Sequence, residues 1–396
     1  MDFELTEEQK ILVALAKDFC NKEVDPAFMR KLLEVENLRD RYPWDIVEKA
    51  HDIGLRTLCV PAKWGGGGAD CLTQVLVAET LARWGGPIAI AIADLWRSFD
   101  VIKVCSDELQ AEIFPKIMEN PRFIMAAAGS EAEAATDIML PYDGPEAKMV
   151  TFAYRDGDEW VINGEKQYCT GGGIADLVIV IARTEKYGPI SQSTSRFLVP
   201  SNTPGFSIVR ENDMTYNEFL GNTVLRFENI RVPLRYHLGP AMWSWSALVA
   251  PRGSAGLLSR QGIYLGDTER IYETLKEYTK TRVQGGKPIF EHYNVGPLVV
   301  DTHLYIETWR WLTYKCAWEY DQADQQGVPR SPTSLHLLFA FSKDVRMRIC
   351  QNIANTCGVI GTLKEYPFEE YIRSGFALMH PYVTRPMHLI MCMKYI

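Results

Sequence analysis

Apolar side chains recur with the period of a helix at the start of the chain. Thr6, followed by acidic residues, is a typical N-terminal helix cap. The apolar positions that come next share one helix face and are Ile11, Leu12, Leu15 and Phe19. Helical spacing continues beyond a break at Pro61 and the glycine run 65–68, where we expect a loop between antiparallel helices. The pattern predicts an all-α domain over residues 1–122.

Short runs of β-branched and aromatic residues replace the helical period between residues 123 and 235. Three of these runs are MVTFAYR, LVIVIAR and TVLRFENIRVP. The dipeptides Asp156-Gly157 and Asn163-Gly164 are hairpin-type turns between such runs. We therefore predict a middle β domain, and the spacing favours a small β-barrel or sandwich over a parallel nucleotide-binding sheet.

Long helical segments return in the last part of the chain, for example over residues 262–280 and 297–325. No internal repeat or low-complexity tract interrupts them. They predict a C-terminal all-α domain over residues 236–396. The order of elements is α, then β, then α, and the fold class is α+β.

Composition limits the class of protein. With 396 residues and 47% hydrophobic side chains, the chain is long enough to bury a sizeable core. Its formal charge of -8 offers no basic surface for nucleic acid or an anionic membrane. The N-terminus is acidic and amphipathic, unlike a secretory signal, and no apolar run is long enough to span a membrane. We expect a soluble, cytoplasmic protein.

The nine cysteines are scattered along the chain, and no two of them form a CxxC pair. An odd number without paired spacing argues against a disulfide framework and against a zinc site. We expect reduced, buried thiols and no bound metal.

Four longer motifs carry a resemblance to a known family. They are WVINGEKQYCTGGG from Trp160, TPGFSIVR from Thr203, VLRFENIRVP from Val224 and EYPFEEYIR from Glu365. In this order, within an α-β-α chain, they resemble the acyl-CoA dehydrogenase family over nearly the whole length. The resemblance implies an N-terminal helical domain, a central β-barrel or sandwich and a C-terminal four-helix bundle.

The resemblance also implies a chemistry. In the family, FAD accepts a hydride from the substrate β-carbon while a base removes the α-proton that the thioester makes acidic. The implied cofactor is therefore FAD, and the implied substrate is an acyl-CoA. An electron-transfer flavoprotein is the family's default electron acceptor.

The family's flavin loop, T-E-P-G-x-G-S-D, matches the stretch SEAEAATD that begins at Ser130. Ser130 keeps a hydroxyl for the flavin. Thr136 replaces a serine and is the implied contact to the substrate. Both family glycines are lost, to Glu133 and Ala135, so we expect the loop to take a different path past the CoA chain.

The second flavin element of the family, W-x-T or W-x-S, is Tyr168-Cys169-Thr170 in this chain. The resemblance therefore implies that Tyr168 forms an aromatic wall and that Thr170 offers a hydroxyl. The alternative is an ordinary strand with alternating faces.

Four residues of the C-terminal domain match family positions near FAD. Arg282 takes the place of an arginine for the diphosphate, and a guanidinium suits that group because it donates paired charged hydrogen bonds. Asn355 matches a residue toward the adenine, Gly358 a glycine beside the diphosphate, and Thr384 a flavin contact. In a family tetramer the diphosphate and adenine residues reach the FAD of a neighbouring subunit, so a homotetramer is implied.

The family's catalytic glutamate is missing from both of its usual places. Counted from Tyr366, the first place falls on Tyr382, whose phenol has an ordinary pKa near 10 and is a poor base at neutral pH. We predict that Tyr382 is a pocket wall or hydrogen-bond donor. The second place falls on Gly256. The arginine that often follows is Leu257, unless a shifted register puts Arg252 or Arg260 there.

Another acidic residue lies in the helix that lines the acyl pocket in the family. Asp94 interrupts an apolar run that includes Ile92, and Arg97 follows one turn later. Asp94 is either the structural partner of Arg97 or a relocated base, as in members that act on cyclic acyl groups. Trp96 would then shape a compact pocket for a ring. In a third reading, Arg97 binds a second acidic group on the substrate.

Three functions are compatible with these residues. The first is an FAD-dependent dehydrogenase of an acyl-CoA, with a cyclic or otherwise atypical acyl group. The second is a family member that does not oxidise its substrate, such as a desulfinase-like lyase. The third is a flavin-binding partner subunit without catalytic activity.

Overall fold

The structure is a computed structural model that describes residues 4–134, 137, 147–187, 189–215, 219–240, 255–377, 379, 383–393 and 395–396. Thr136, Tyr382 and Arg252 lie outside the described residues.

The part of the chain before the sheet is helical. Its helices are α1 (Glu7–Glu23), α2 (Pro26–Leu32), α3 (Leu38–Arg41), α4 (Trp44–Asp52), α5 (Cys71–Ala82), α6 (Gly86–Ala93), α7 (Trp96–Lys103) and α8 (Asp107–Glu119). The predicted cap at Thr6 is confirmed, since its hydroxyl accepts a hydrogen bond from the Gln9 amide and the Gln9 side chain accepts one from the Thr6 amide.

The middle of the chain forms one sheet of eight strands in the described residues. They are β1 (Met125–Ala128), β2 (Phe152–Asp156), β3 (Glu159–Thr170), β4 (Leu177–Arg183), β5 (Thr194–Pro200), β6 (Phe206–Glu211), β7 (Asn222–Pro233) and β8 (His237–Pro240). The strand order is β6-β7-β3-β2-β4-β5-β8, and β1 pairs with β4. A short helix, α9 (Ile190–Ser193), precedes β5. Most pairings are antiparallel, as the hairpin turns predict; β1 and β2 run parallel to β4.

The last part of the chain is helical again. Its helices are α10 (Ala255–Thr281), α11 (Gly296–Gln326), α12 (Pro332–Cys357), α13 (Pro367–Ala377) and α14 (Arg385–Cys392). A small hairpin of β9 (Val283–Gln284) and β10 (Lys287–Pro288) follows α10. No helix in the described ranges is both long and apolar enough for a membrane span.

Glycines let α10 cross α5 at close range. A Cβ on Gly262 would lie 2.5 Å from the carbonyl oxygen of Val75, and one on Gly266 would clash with the backbone of Glu79. Side chains at these two positions would therefore push the helices apart. The contact links the N-terminal and C-terminal helical parts.

The N-terminal helices and the sheet share one hydrophobic core. Arg56, which is fully buried, reinforces the junction by donating hydrogen bonds to the carbonyl oxygens of Pro121 and Phe123, both at 2.6 Å. The indole of Trp96 donates to the Arg56 carbonyl at 3.0 Å. Together these bonds fix the segment that leads into β1 against α7.

Candidate active site

Ser130, Tyr168 and Thr170, the predicted flavin contacts of the β domain, lie on two adjacent segments. Ser130 follows β1, and its carbonyl oxygen accepts a hydrogen bond from the amide of Gln167 at 2.8 Å. Tyr168 is the next residue, and Thr170 ends β3 opposite Asn222. The structure therefore brings the three residues together, and their contact with flavin stays a prediction.

Tyr168 has a strained backbone and an exposed ring. The β3–β7 ladder is interrupted between Lys166 and Cys169, and Tyr168 lies in this interruption with φ of 59°. An aromatic residue rarely adopts positive φ, and such outliers cluster at functional sites. The side chain is 58% exposed, so the ring gains little from packing in the isolated chain. The strained backbone and the exposed ring are the features expected of an aromatic side chain that contacts a ligand.

Tyr168→Asn tests this interpretation. Asparagine tolerates positive φ, so the variant should keep the β3 backbone and the thermal stability of the apoprotein. It lacks the ring face, so we expect weaker FAD binding, measured by titration of the apoprotein with FAD. Unchanged affinity would show that Tyr168 does not contact the cofactor.

Arg282, Asn355 and Gly358 line one polar pocket of about 370 Å³. The pocket lies where the end of α10 and the β9–β10 hairpin meet the end of α12. Gly358 has φ of 56°, which brings bare backbone to the pocket wall. Gly285, which replaces the family's phenylalanine, is also part of this wall. Arg282 is thus brought from a distant part of the chain to Asn355 and Gly358, around a space that a diphosphate could enter.

Thr384 is the N-cap residue of α14, and its side chain makes no capping hydrogen bond. Val383, just before it, stands where the family has the glycine that follows the catalytic glutamate. It has φ of 71°, a conformation that glycine adopts freely and valine rarely does. Val383 therefore holds a backbone conformation that glycine would adopt with less strain.

Asp94 lies at the end of α6, and its side chain is 3% exposed. One carboxylate oxygen, Oδ2, accepts a hydrogen bond from Nε of Arg97 at 3.1 Å, and Oδ1 lies 3.3 Å from Nη1 of Arg260. Burial raises the pKa of Asp94, but the charges of Arg260 and Arg97 outweigh burial and hold the pKa below its ordinary value. The predicted ion pair with Arg97 is confirmed, and Arg260 is a second partner.

Gly256 cannot be replaced by a longer side chain in this packing. A Cβ there would clash with the backbone N and Cα of Arg97. The Gly256 amide instead donates a hydrogen bond to Oδ2 of Asp100 at 2.6 Å. The second family position for the glutamate is therefore closed by the contact between α7 and α10. Arg260, one turn further along α10, points to Asp94.

Ile92 and Trp96 are fully buried in the hydrophobic core. Arg97 is partly buried against Asp94. Substrate contact by these three residues stays a prediction, since the first two expose no surface to a ligand in this arrangement.

Three buried charged groups, Asp100, Lys343 and Arg346, were not predicted from the sequence. Asp100 holds the start of α10 and pairs with Lys103 at 2.8 Å. Lys343, on α12, donates to the carbonyl oxygen of Met379, and burial together with Arg346 lowers its pKa to about 8. Arg346 lies against the rings of Tyr264 and Tyr371. Helical spacing alone places such residues on a solvent face, so only tertiary packing could show that they are buried.

Comparisons with known proteins agree with this architecture. The family models for the N-terminal, middle and C-terminal domains of acyl-CoA dehydrogenase match residues 6–120, 126–230 and 258–376. Cyclohex-1-ene-1-carbonyl-CoA dehydrogenase of Geobacter metallireducens is 28% identical over 373 residues, which cover 94% of this chain and 93% of the relative. The enzyme of the same name from Syntrophus aciditrophicus is 26% identical over 378 residues, covering 94% and 86%.

A solved structure shows the same fold. Butyryl-CoA dehydrogenase from Megasphaera elsdenii has a TM-score of 0.83 at 24% identity, covering 100% of this chain and 99% of that one. The fold and the matching family models define the class of the protein, which is an oxidoreductase that acts on CH–CH donors. The chain belongs to the acyl-CoA dehydrogenase family, in which FAD is the cofactor.

The structure fits that cofactor. The exposed Tyr168 ring offers a flat face beside the hydroxyls of Ser130 and Thr170, and the pocket at Arg282 offers a guanidinium, an amide side chain and open backbone. A planar ring system and a diphosphate need these two kinds of surface.

Proposed function

We propose that this chain is an FAD-dependent dehydrogenase that introduces a C=C bond into the acyl group of a CoA thioester, with Asp94 as the proton acceptor. One observation carries the acceptor role. Gly256 is closed to any side chain, and the carboxylate of Asp94 lies against Arg260, one helical turn from Gly256. Asp94, at the end of α6, thus places a carboxylate against the face of α10 on which Gly256 and Arg260 lie.

In this proposal the arginines around Asp94 keep its side chain in the charge state that accepts a proton. Arg97 and Arg260 keep the carboxylate ionised, and Arg97 fixes Oδ2 with a hydrogen bond, so the carboxylate can accept the α-proton or a more distant proton acidified by conjugation. Bound FAD supplies the hydride acceptor. Arg282, Asn355 and Gly358 bind its diphosphate and adenine end, and Thr384 offers a further hydroxyl.

A cyclic acyl group is the substrate class that we propose. It is supported by two relatives at 26–28% identity that are dehydrogenases of a cyclic acyl-CoA. It also agrees with an acidic residue in place of the family glutamate. An electron-transfer flavoprotein as the acceptor of the electrons is proposed from the family resemblance.

A homotetramer is part of the same proposal. One stripe of α11 carries large apolar side chains that are about half exposed, at Val300, Leu304, Trp311 and Trp318. Their spacing of four or seven residues places them on one helix face. Exposed apolar stripes with tryptophans are typical of surfaces buried by a partner.

Anaerobic titration of the purified protein with acyl-CoAs tests the function. The panel contains cyclohex-1-ene-1-carbonyl-CoA, cyclohexanecarbonyl-CoA, butyryl-CoA and glutaryl-CoA, and flavin absorbance is followed. We expect bleaching by a cyclic compound. Product without bleaching would support the non-oxidising lyase, and no response to any acyl-CoA would support the partner subunit.

Arg260→Met tests the proposed base through pH. In the parent chain the pKa of Asp94 is lowered, so flavin reduction should not fall between pH 8 and pH 5, because the carboxylate stays ionised. In Arg260→Met, Arg97 still opposes the effect of burial but Arg260 no longer does, so the pKa of Asp94 rises. The loss of rate on acidification should then move to higher pH. An unchanged pH profile in a folded, FAD-loaded variant would contradict the base assignment.

A further inference from the structure

A buried ion pair lies directly beside the predicted flavin contacts of the β domain. The side chain of Lys166, on β3, is fully buried, and its Nζ lies 2.8 Å from Oε1 of Glu131. Glu131 belongs to the loop after β1. The sequence shows both residues inside the family-like motifs, yet neither is needed in the reaction proposed above.

The ion pair fixes the residues on both sides of Ser130. Nζ of Lys166 donates to the carbonyl oxygen of Gly129 and to the carboxylate of Glu131, both at 2.8 Å. The Ser130 carbonyl oxygen accepts the amide of Gln167, the residue between Lys166 and Tyr168. Ser130 is therefore held at three points by the part of β3 that leads into Tyr168.

Glu131 also links this loop to the approach to β2. Its Oε2 accepts the amide of Val150 at 2.6 Å, and its Oε1 accepts the amide of Thr151 at 2.9 Å. The Glu131 amide donates to the carbonyl oxygen of Ala134 at 2.7 Å. One carboxylate thus ties three segments together, and three donors determine its geometry: the amides of Val150 and Thr151 and the ammonium group of Lys166.

The electrostatics agree with a fixed, charged pair. Burial raises the pKa of Glu131, but the charge of Lys166 and the hydrogen bonds outweigh it and lower the pKa. Removing either partner would leave the other charge buried without its counterion. The Ser130 hydroxyl, by contrast, makes no hydrogen bond to any residue that the structure describes, and so remains available to a ligand.

We propose that Lys166 and Glu131 are positioning residues for the cofactor: their ion pair sets Ser130 against Tyr168 and Thr170 before FAD binds. This inference rests on the proposed FAD site at those three residues. It assigns Lys166 and Glu131 no contact with FAD or substrate.

The test compares Lys166→Met and Glu131→Gln with Arg330→Met in the full-length protein. Arg330 is also a buried cation, paired with Asp324 at 2.5 Å between α11 and α12, and serves as the matched control for the loss of a buried ion pair. Two quantities are measured: the FAD dissociation constant of the apoprotein, and hydrogen exchange of residues 129–134 in the absence of FAD.

We expect both β-domain variants to bind FAD about tenfold or more weakly, as the loss of one well-placed hydrogen bond would cause, and Arg330→Met to stay within about twofold of the parent. Residues 129–134 should exchange faster in the first two variants alone. Glu131→Gln keeps the shape of the side chain and, through its one remaining oxygen, one of the two hydrogen bonds from the amides of Val150 and Thr151. It therefore tests the inference should Lys166→Met not fold.

The inference is overturned if Glu131→Gln keeps the parent's FAD affinity, or if Arg330→Met weakens FAD binding and loosens residues 129–134 equally. Failure of the proposed function is a different result. In that case no acyl-CoA would bleach the flavin of the parent protein, whereas the FAD affinities and the hydrogen exchange would still show whether the pair positions the loop.

Discussion

Asp94→Asn is expected to reduce flavin at least about a hundredfold more slowly than the parent chain, the lower end of what a general base contributes. Asparagine keeps the size of the side chain and can still accept a hydrogen bond from Arg97, but it cannot take a proton. FAD content should be unchanged, because Asp94 is not among the residues proposed to bind FAD. Stopped-flow reduction by the best acyl-CoA of the panel measures the effect.

The matched control is Asp100→Asn. Asp100 is also buried on the α7 side of α10 and also paired with a cation, since Lys103 and the Gly256 amide contact its two oxygens. It is not proposed to accept a proton. Its loss should lower thermal stability and leave the rate of flavin reduction within the same order of magnitude. Near-normal reduction in Asp94→Asn would leave Asp94 as the structural partner of Arg97 and Arg260.

Sequence spacing was enough to predict a short-range contact. Asp94 and Arg97 are three residues apart, and the pair forms across the turn between α6 and α7 because Asp94 and Leu95 keep right-handed helical dihedrals. Arg260 reaches the same carboxylate from a helix far along the chain. No local pattern could reveal that second partner, and it changes the chemistry, because two cations hold Asp94 ionised more firmly than one.

The same limit applies to Gly256. Its identity showed that a glutamate is absent, but the reason lies in the packing of α10 against Arg97. Likewise, Lys343 is a charged residue in a long amphipathic helix, and its burial against the carbonyl of Met379 follows from how the later helices fold back. Motif order was sufficient for the fold, since the α-β-α succession and the family-like segments are local properties.

The pocket at Arg282 shows what a resemblance can add to such local patterns. Arg282, Asn355 and Gly358 were each matched to separate family positions, and the structure collects all three around one cavity. Neither hydrophobic period nor turn chemistry would have joined the end of α10 to the end of α12.

Arg282→Ala is expected to weaken FAD binding by about ten- to a hundredfold, the range for losing a charged hydrogen-bonded pair. Arg282→Lys should lose less, since lysine keeps the charge, but it should still bind more weakly than arginine because it lacks the paired donors that match a diphosphate. Bound flavin per chain after gel filtration, and titration of the apoprotein, give the two affinities.

Lys280→Ala separates a specific contact from a change in net charge. Lys280 stands two residues earlier on the same helix, lies near the ring of Phe290 and is not part of the pocket wall. Lys280→Ala removes one positive charge, as Arg282→Ala does, but it removes no residue of the pocket wall. The FAD affinity of Lys280→Ala should therefore stay close to that of the parent. If Lys280→Ala and Arg282→Ala lose FAD to the same extent, the effect is only long-range attraction. If Arg282→Ala and Arg282→Lys retain it equally, Arg282 is not at the diphosphate. An order of affinities from parent through lysine to alanine, with Lys280→Ala unaffected, requires a guanidinium that binds the cofactor directly.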